Sequence, residues 1–291
     1  MVAVLDQIVA GIPEEFADAA DDHHHDLYFQ LAQTYFGLGI HETAIKLAKE
    51  VHQYRRSKLG ADSPQTLEAA SVVVGYCATV GEFEGLVQLQ RECLRATIKL
   101  SDPKNTDVLA QQMLLGYVLK QTGQLQEGVR VYESLVDKLS DVSGSKNSDR
   151  DKLKRFALQN LGMAYIAIGR FVDATEVLAD LTVLHELSVG KQHVEAIKTR
   201  NSLAIALRET RRLEEAEESF NSLLLDRRDI LGLAHPETLT TENELSRTLF
   251  LAIKQKEAIR QLEHAYSVAL KSLKQNHYTT IVIGGNLQVT M

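Results

Sequence analysis

Asp21-Asp22-His23-His24-His25-Asp26 is the stretch of this chain whose residue types look most like a metal site. Imidazole and carboxylate are ordinary ligands of zinc and nickel. The following Leu27-Tyr28-Phe29-Gln30 gives the segment the look of a tag junction, yet Leu31 falls on a repeat register described below. The expected reading is therefore a helix start with solvated histidines and an aspartate near its cap, with no metal. His185-Glu186 opens like the two-histidine helix of a zinc protease, but Val189 stands where the second histidine belongs. Gly284-Gly285 is not part of a phosphate-cradling loop, and no Gly-x-Ser-x-Gly, Walker-type lysine or Cys/His pair is present. Cys77 and Cys93 fall at inward-facing helix positions and read as two small buried hydrophobes. No catalytic residue, metal or cofactor is expected, and the chain reads as a non-enzyme.

The elements that would carry any site follow a ruler. Leu31, Val73, Leu115, Leu161, Leu203, Leu245 and Leu287 succeed one another at intervals of 42, 42, 46, 42, 42 and 42 residues. Ala44, Leu86, Gly128, Ala174, Ala216 and Ala258 keep the same beat, as do Gly39, Gly81, Gly123 and Gly169, continued by Arg211 and Ile253. Three position classes locked to one period of this length signal a stacked repeat array. Each unit reads as two helices. The first is apolar at helical spacing, as in Leu27, Leu31 and Tyr35. A turn with glycine follows, suited to a helix end that needs positive φ, and a second apolar helix comes next. Small residues at the Ala44 series suit a close helix crossing. Leu86 breaks that series, and Gly75 opposite is expected to make room for it.

Proline stands near each of three helix starts, in Ser63-Pro64, Asp102-Pro103 and His235-Pro236, where a missing N–H costs nothing. The one interval of 46 is expected to hold a longer polar loop at 142–149, around Ser143-Gly-Ser-Lys-Asn-Ser148. The fold expected is all-α, a right-handed α-solenoid of about six to seven helix hairpins. Residues 1–20 read as an N-terminal helix or the remnant of a preceding repeat, and 21–291 as the array. Its repeats lie near 25–60, 64–101, 104–142, 150–190, 193–232 and 235–274, with a half repeat at 277–291. Ile281, Val282 and Ile283 leave the last face apolar. Either the chain is cut from a longer array, or its open repeat ends meet in a homo-oligomer.

Composition narrows the function. Among 291 residues, 44% are hydrophobic, 24% charged and 6% aromatic, as in an ordinary soluble protein. A net charge of -7 argues against general nucleic-acid binding, which needs a basic field. No apolar run is long enough for a membrane span, and the N-terminus lacks the basic start of a secretory signal. Two cysteines form no disulfide framework. A cytoplasmic location is expected, with no nucleic-acid or membrane partner.

Leu161-Gly162, Tyr165, Gly169, Phe171 and Ala174 resemble the tetratricopeptide repeat. The long stride resembles the variety found in kinesin light chains and in the repeat regions of signalling ATPases. Asp226-Arg227-Arg228-Asp229-Ile230-Leu231-Gly232-Leu233-Ala234-His235-Pro236-Glu237-Thr238 is similar to that variety's link, and Arg55 to Thr66 is an eroded copy. His193, His235 and His277 recur at 42-residue intervals, which gives them a structural reading at the inter-unit turn. The resemblance implies that the first helices line a binding groove. Positions around each ruler residue would then face it: Tyr117, Gln159, Asn160, Asn201, Arg208, Asn243 and Arg247 are the candidate partner-binding residues. It also implies that the asparagines hydrogen-bond the backbone of an extended peptide, with the arginines favouring an acidic one. The function expected is a non-catalytic scaffold binding a partner peptide or protein. The alternative is a sensor or autoinhibitory arm of a larger signalling protein, such as a nucleotide-binding switch ATPase or a kinase.

Overall fold

A computed structural model describes residues 22–140 and 149–290. The expected N-terminal element at 1–20 and all of the expected loop but Asp149 lie outside those residues. Among the described residues every regular element is a helix. The chain divides into two compact units, residues 1–138 and 139–291. The first holds α1 (Asp22–Gly37), α2 (His41–Leu59), α3 (Pro64–Val80), α4 (Leu86–Leu100), α5 (Thr106–Gln121) and all but the last two residues of α6 (Leu125–Ser140). The second holds α7 (Asp149–Ala167), α8 (Phe171–Ser188), α9 (Val194–Glu209), α10 (Leu213–Leu231), α11 (Pro236–Leu251), α12 (Gln255–Ser272) and α13 (Tyr278–Thr290). Odd-numbered helices are the first helices of the hairpins and even-numbered ones the second. In each unit the helices pack in chain order, which is the α-solenoid arrangement.

Each hairpin turns by the same device. The backbone N–H of residues 40, 82, 124, 170, 212 and 254 donates to a carbonyl five residues back, at 2.9 Å in every copy. This is the six-to-one bond of a Schellman ending, and it forces the preceding residue into the left-handed region. Gly39, Gly81, Gly123 and Gly169 take φ of 78°, 85°, 77° and 78° there, at no steric cost. Arg211 and Ile253 occupy the same turn at φ 64° and 63°. The fold therefore overrides the residue type at these two places, and the β-branched Ile253 is the more strained.

The residue after each ruler position is where the two helices of a hairpin touch. Ala32, Val74, Ala204 and Ser246 are fully buried there. At the other two copies, a Cβ on Gly116 would come within 2.8 Å of the Tyr132 ring, and one on Gly162 within 2.6 Å of Leu178. Sixteen residues after each of these small positions the second helix sends in a buried side chain: Ala48, Gln90, Tyr132, Leu178, Phe220 and Leu262. The tightest pairings put a large knob against a bare glycine, so the hairpin closes by shape and not by residue type alone.

The Ala44 series sits three residues into α2, α6, α8, α10 and α12. Ala44, Ala174, Ala216 and Ala258 are wholly buried there. Leu86 fits for a different reason from the one expected. No atom lies within 4 Å of where a Cβ on Gly75 would be, so Gly75 makes no room for it. Instead α4 begins at Leu86 itself, after Gly85 at φ 71°, and the position falls at a helix start.

The links between hairpins are also repeated. Thr66 Oγ1 donates to the Gly60 carbonyl and Thr238 Oγ1 to that of Gly232, both at 2.8 Å. His193 and His235 cap the helices they precede, each Nδ1 accepting from the backbone N–H two residues on at 3.2 Å, and His277 Nδ1 accepts from Thr279 N likewise. The recurring histidines are thus helix caps, as their period suggests. In the full link, Asp226 points back and Arg227 forward. Asp226 takes Arg200 of α9 at 2.5 Å, while Arg227 donates to the Glu237 carbonyl of α11 at 3.2 Å.

Two substitutions test this account. Ile253→Gly removes a left-handed strain of about 1–2 kcal/mol against a backbone-entropy cost of about 0.5–1 kcal/mol. It loses no packing because Ile253 is 86% exposed. Urea unfolding is expected to show a net gain of about 0.5–1 kcal/mol. Gly162→Ala drives a methyl into Leu178, and a loss of about 1–3 kcal/mol is expected; the same assay checks it.

Candidate functional site

In the second unit the first helices lie side by side, α7 against α9, α9 against α11 and α11 against α13. Polar side chains cross from each to the next. Gln159 on α7 donates from Nε2 to Ser202 Oγ at 3.3 Å and accepts from Thr199 Oγ1 at 2.5 Å, both on α9. Arg208 on α9 pairs with Glu244 on α11 and, at 3.1 Å, with its neighbour Glu209. Asn286 on α13 donates to Asn243 Oδ1 on α11 at 2.8 Å. Gln159, Arg208 and Asn243 are 9%, 3% and 3% exposed. All three are therefore braces between first helices. Each has a polar atom engaged across the stack, as a buried donor or acceptor left unmet is costly.

The other three candidates differ from these braces. Asn201, half-buried on α9, makes no side-chain hydrogen bond among the described residues. Arg247 has a half-exposed side chain and meets Glu244, which Arg208 shares, at 3.2 Å. Asn160 is half-buried and donates to the Phe156 carbonyl one turn back at 2.9 Å. So the face of α9 and α11 presents the Asn201 amide and the Arg247 guanidinium over a braced wall. The acidic side chains of Glu209 and Glu244 offset the two arginines.

The first unit offers a different face. Phe36 on α1 stacks on Tyr76 on α3 with ring centroids 3.9 Å apart and planes within 5°. Tyr117 on α5, the remaining candidate, is half-buried with the Lys120 ammonium 5.7 Å over its ring. Burial lowers the Lys120 pKa below that of a free lysine. An ammonium on an aromatic face is held by the ring's negative charge density. Gln111 braces this unit, donating to Ser71 Oγ at 2.8 Å and accepting from Gln90 at 2.6 Å.

Phe36 and Tyr76 were not among the expected groove residues. Phe36 lies five residues after Leu31, the same step that gives Lys120, Arg208 and Phe250, so the register could have found it. The braces had no comparable signal, since each partner lies 36 to 43 residues away on the next first helix.

In the histidine run, His24 and His25 pack through their rings. His25 stacks on Tyr54 at 3.4 Å and His24 meets Tyr28 edge-on at 5.5 Å. They are half-buried ring contacts where solvated side chains were expected. Among the described residues no three His, Cys, Asp or Glu groups come together as a metal site would need. Cys77 and Cys93 are free and buried, and burial pushes the Cys93 thiol up to about 11, so it is inert as a nucleophile at neutral pH. No described helix is long and apolar enough to cross a membrane.

Comparison with known proteins agrees with the repeat reading. Residues 194–271 match the profile of the tetratricopeptide repeat family. Arabidopsis thaliana Protein KINESIN LIGHT CHAIN-RELATED 3 is 22% identical over 77% of this chain and 34% of its own length; Protein KINESIN LIGHT CHAIN-RELATED 2 is 23% identical over 77% and 32%. The chain thus spans about a third of the length of the curated relatives it matches. Among solved structures, a Podospora anserina putative kinesin light chain with nearly identical TPR-like repeats superposes with a TM-score of 0.62. It is 20% identical and covers 72% of this chain and 98% of that one. The tetratricopeptide repeat sensor-bearing STAND ATPase of Pyrococcus horikoshii gives 0.69, at 14% identity, over 92% of this chain and 38% of that one. Residues 194–271 thus match tetratricopeptide repeats by sequence, and the described helices share the hairpin fold of the long-stride, kinesin-light-chain-like repeats.

The difference between brace and open residue is measurable. Asn243→Ala strands the half-buried Asn286 amide, and a loss of about 1 kcal/mol in urea unfolding is expected. Asn201→Ala breaks no contact and is expected to leave stability within about 0.5 kcal/mol of the parent.

Proposed function

We propose that the chain is a non-catalytic scaffold that holds an extended segment of a partner protein across the first helices α7, α9 and α11. The observation that carries this is Asn201, whose amide has no internal partner on a wall where its polar neighbours Gln159 and Asn243 are braced. An amide offers both a donor and an acceptor, which is what a peptide backbone needs at one residue. Arg247, on the next first helix, keeps half its side chain in solvent and supplies a cation for an acidic residue of the partner. Asn160 flanks them on α7. In the first unit, Tyr117 with Phe36 and Tyr76 gives an aromatic surface suited to an apolar anchor. The two buried thiols suit a reducing, cytoplasmic setting.

A second reading makes the array the sensing arm of a larger signalling protein. The likeness to a STAND protein with a tetratricopeptide repeat sensor supports it. The length of the native gene product separates the two readings, since a sensing arm requires a further effector domain on the same chain.

The test is Asn201→Ala combined with Arg247→Ala, two open positions whose loss leaves the braces in place. Affinity capture followed by mass spectrometry is expected to lose the partner that the parent chain recovers. Equal recovery by the double variant would remove this face as the site.

A further inference from the structure

Five residues before Gly60 and Gly232 stands an arginine that spans the link to the next first helix. Arg55 Nη1 donates to the Gln65 carbonyl at 3.1 Å and Arg227 Nη1 to that of Glu237 at 3.2 Å. Five residues before Gly190, at the same place in the link between α8 and α9, stands His185. The imidazole is shorter than an arginine and leaves space where the guanidinium would be. His185 is 4% exposed, and neither ring nitrogen makes a hydrogen bond of good geometry, the Glu195 backbone carbonyl being a weak neighbour. It lines a cavity of about 190 Å³ with Lys152, Arg155, Phe156, Val189, His193 and Glu195.

Most of the charged groups around that cavity are already engaged. Lys152 pairs with Asp149 at 2.9 Å, Glu195 with Lys198 at 3.3 Å, and His193 Nδ1 accepts from the Glu195 backbone at 3.2 Å. Arg155 is half-buried and makes no hydrogen bond or ion pair among the described residues. Two polar side chains with spare hydrogen-bonding capacity, one of them a permanent cation, thus share a cavity with the apolar side chains of Phe156 and Val189 and the engaged groups of Lys152, His193 and Glu195. Phe156 and Val189 are 49% and 40% exposed beside it.

We propose that this cavity binds a small apolar carboxylate, held by Arg155 and His185, with its hydrocarbon part against Phe156 and Val189. A guanidinium takes a carboxylate through two parallel N–H donors, and an imidazole N–H beside it meets a remaining lone pair. The volume sets the size. An apolar cavity of about 150 Å³ accepts benzene, so one somewhat larger suits a single ring with a short acidic arm. A drug-sized ligand needs about 300 Å³ or more and is too large.

The ionisation of His185 gives a readout independent of affinity. Burial is the main influence and lowers its pKa; Arg155 lowers it further, as does His193, while Glu195 opposes them through its carboxylate and backbone carbonyl. The empty cavity therefore holds a neutral imidazole at pH 7. A bound carboxylate offsets Arg155 and favours the protonated ring, so binding raises the midpoint and takes up protons as pH falls toward it.

Phenylacetate is the probe, with phenylacetamide and inorganic phosphate as controls, followed by NMR of the histidine-labelled full chain. Phenylacetate is expected to shift the His185 resonance saturably and to move its titration midpoint upward. Phenylacetamide and phosphate are each expected to bind at least tenfold more weakly. Arg155→Gln is expected to weaken phenylacetate at least tenfold with an unchanged melting temperature, and Phe156→Ala several-fold. No saturation by concentrations on the order of 10 mM, equal binding of the amide or of phosphate, or unaltered binding by both variants would overturn the assignment.

Discussion

Two helices can lie closely against each other only where one of them contributes almost no side chain. That constraint, met by the buried small residue after the ruler position of every hairpin but that of Val73, where Val74 stands, is what the rest of this molecule depends on. At Gly116 and Gly162 the space a methyl would need is already taken by Tyr132 and Leu178. Once the crossing is fixed, the left-handed turn at one end of the hairpin has little freedom. It then forms even where the sequence supplies Arg211 or Ile253 in place of glycine. The strain at those residues is small beside the burial it accompanies, since each knob of the size of Phe220 or Leu223 contributes about 1.5–3 kcal/mol.

A fixed hairpin has consequences for the face it presents. First helices stack beside first helices, so any polar residue that points along the stack meets its counterpart one repeat away. Gln159, Arg208 and Asn243 are absorbed in that way. What remains open is a sparse set around Asn201 and Arg247 in the second unit, and an aromatic set around Tyr117 in the first. A scaffold built like this recognises partners with the few side chains that the stacking leaves over. The same logic bears on His185: the links at Arg55 and Arg227 use an arginine long enough to reach the next helix, and at His185 the shorter ring lines a cavity.

Much of the fold was legible because it rests on period. Helix type, hairpin order, the turn at Gly39 and its copies, and the place of His193, His235 and His277 at the inter-unit turn all repeat at a fixed stride, though not the capping bonds those histidines make there. A repeated residue reports a repeated contact. The fit of Leu86 was misassigned to Gly75, because the late start of α4 depends on the local turn at Gly85 and leaves no periodic trace. The candidate site was legible only as a list of positions facing one way. Which of them are open depends on single pairs 36 to 43 residues apart, and an asparagine reads the same whether its amide meets Asn286 or solvent. Period does not encode that difference, and side-chain packing does.

The most direct test is a photo-crosslinking amino acid placed at Asn201 on α9 in one chain and at the exposed Glu218 on α10 in another. The account predicts that the captured partner is linked from position 201 and not from 218, because first helices carry the binding face. Linkage from 218 with none from 201 would place the partner on the second helices and contradict it.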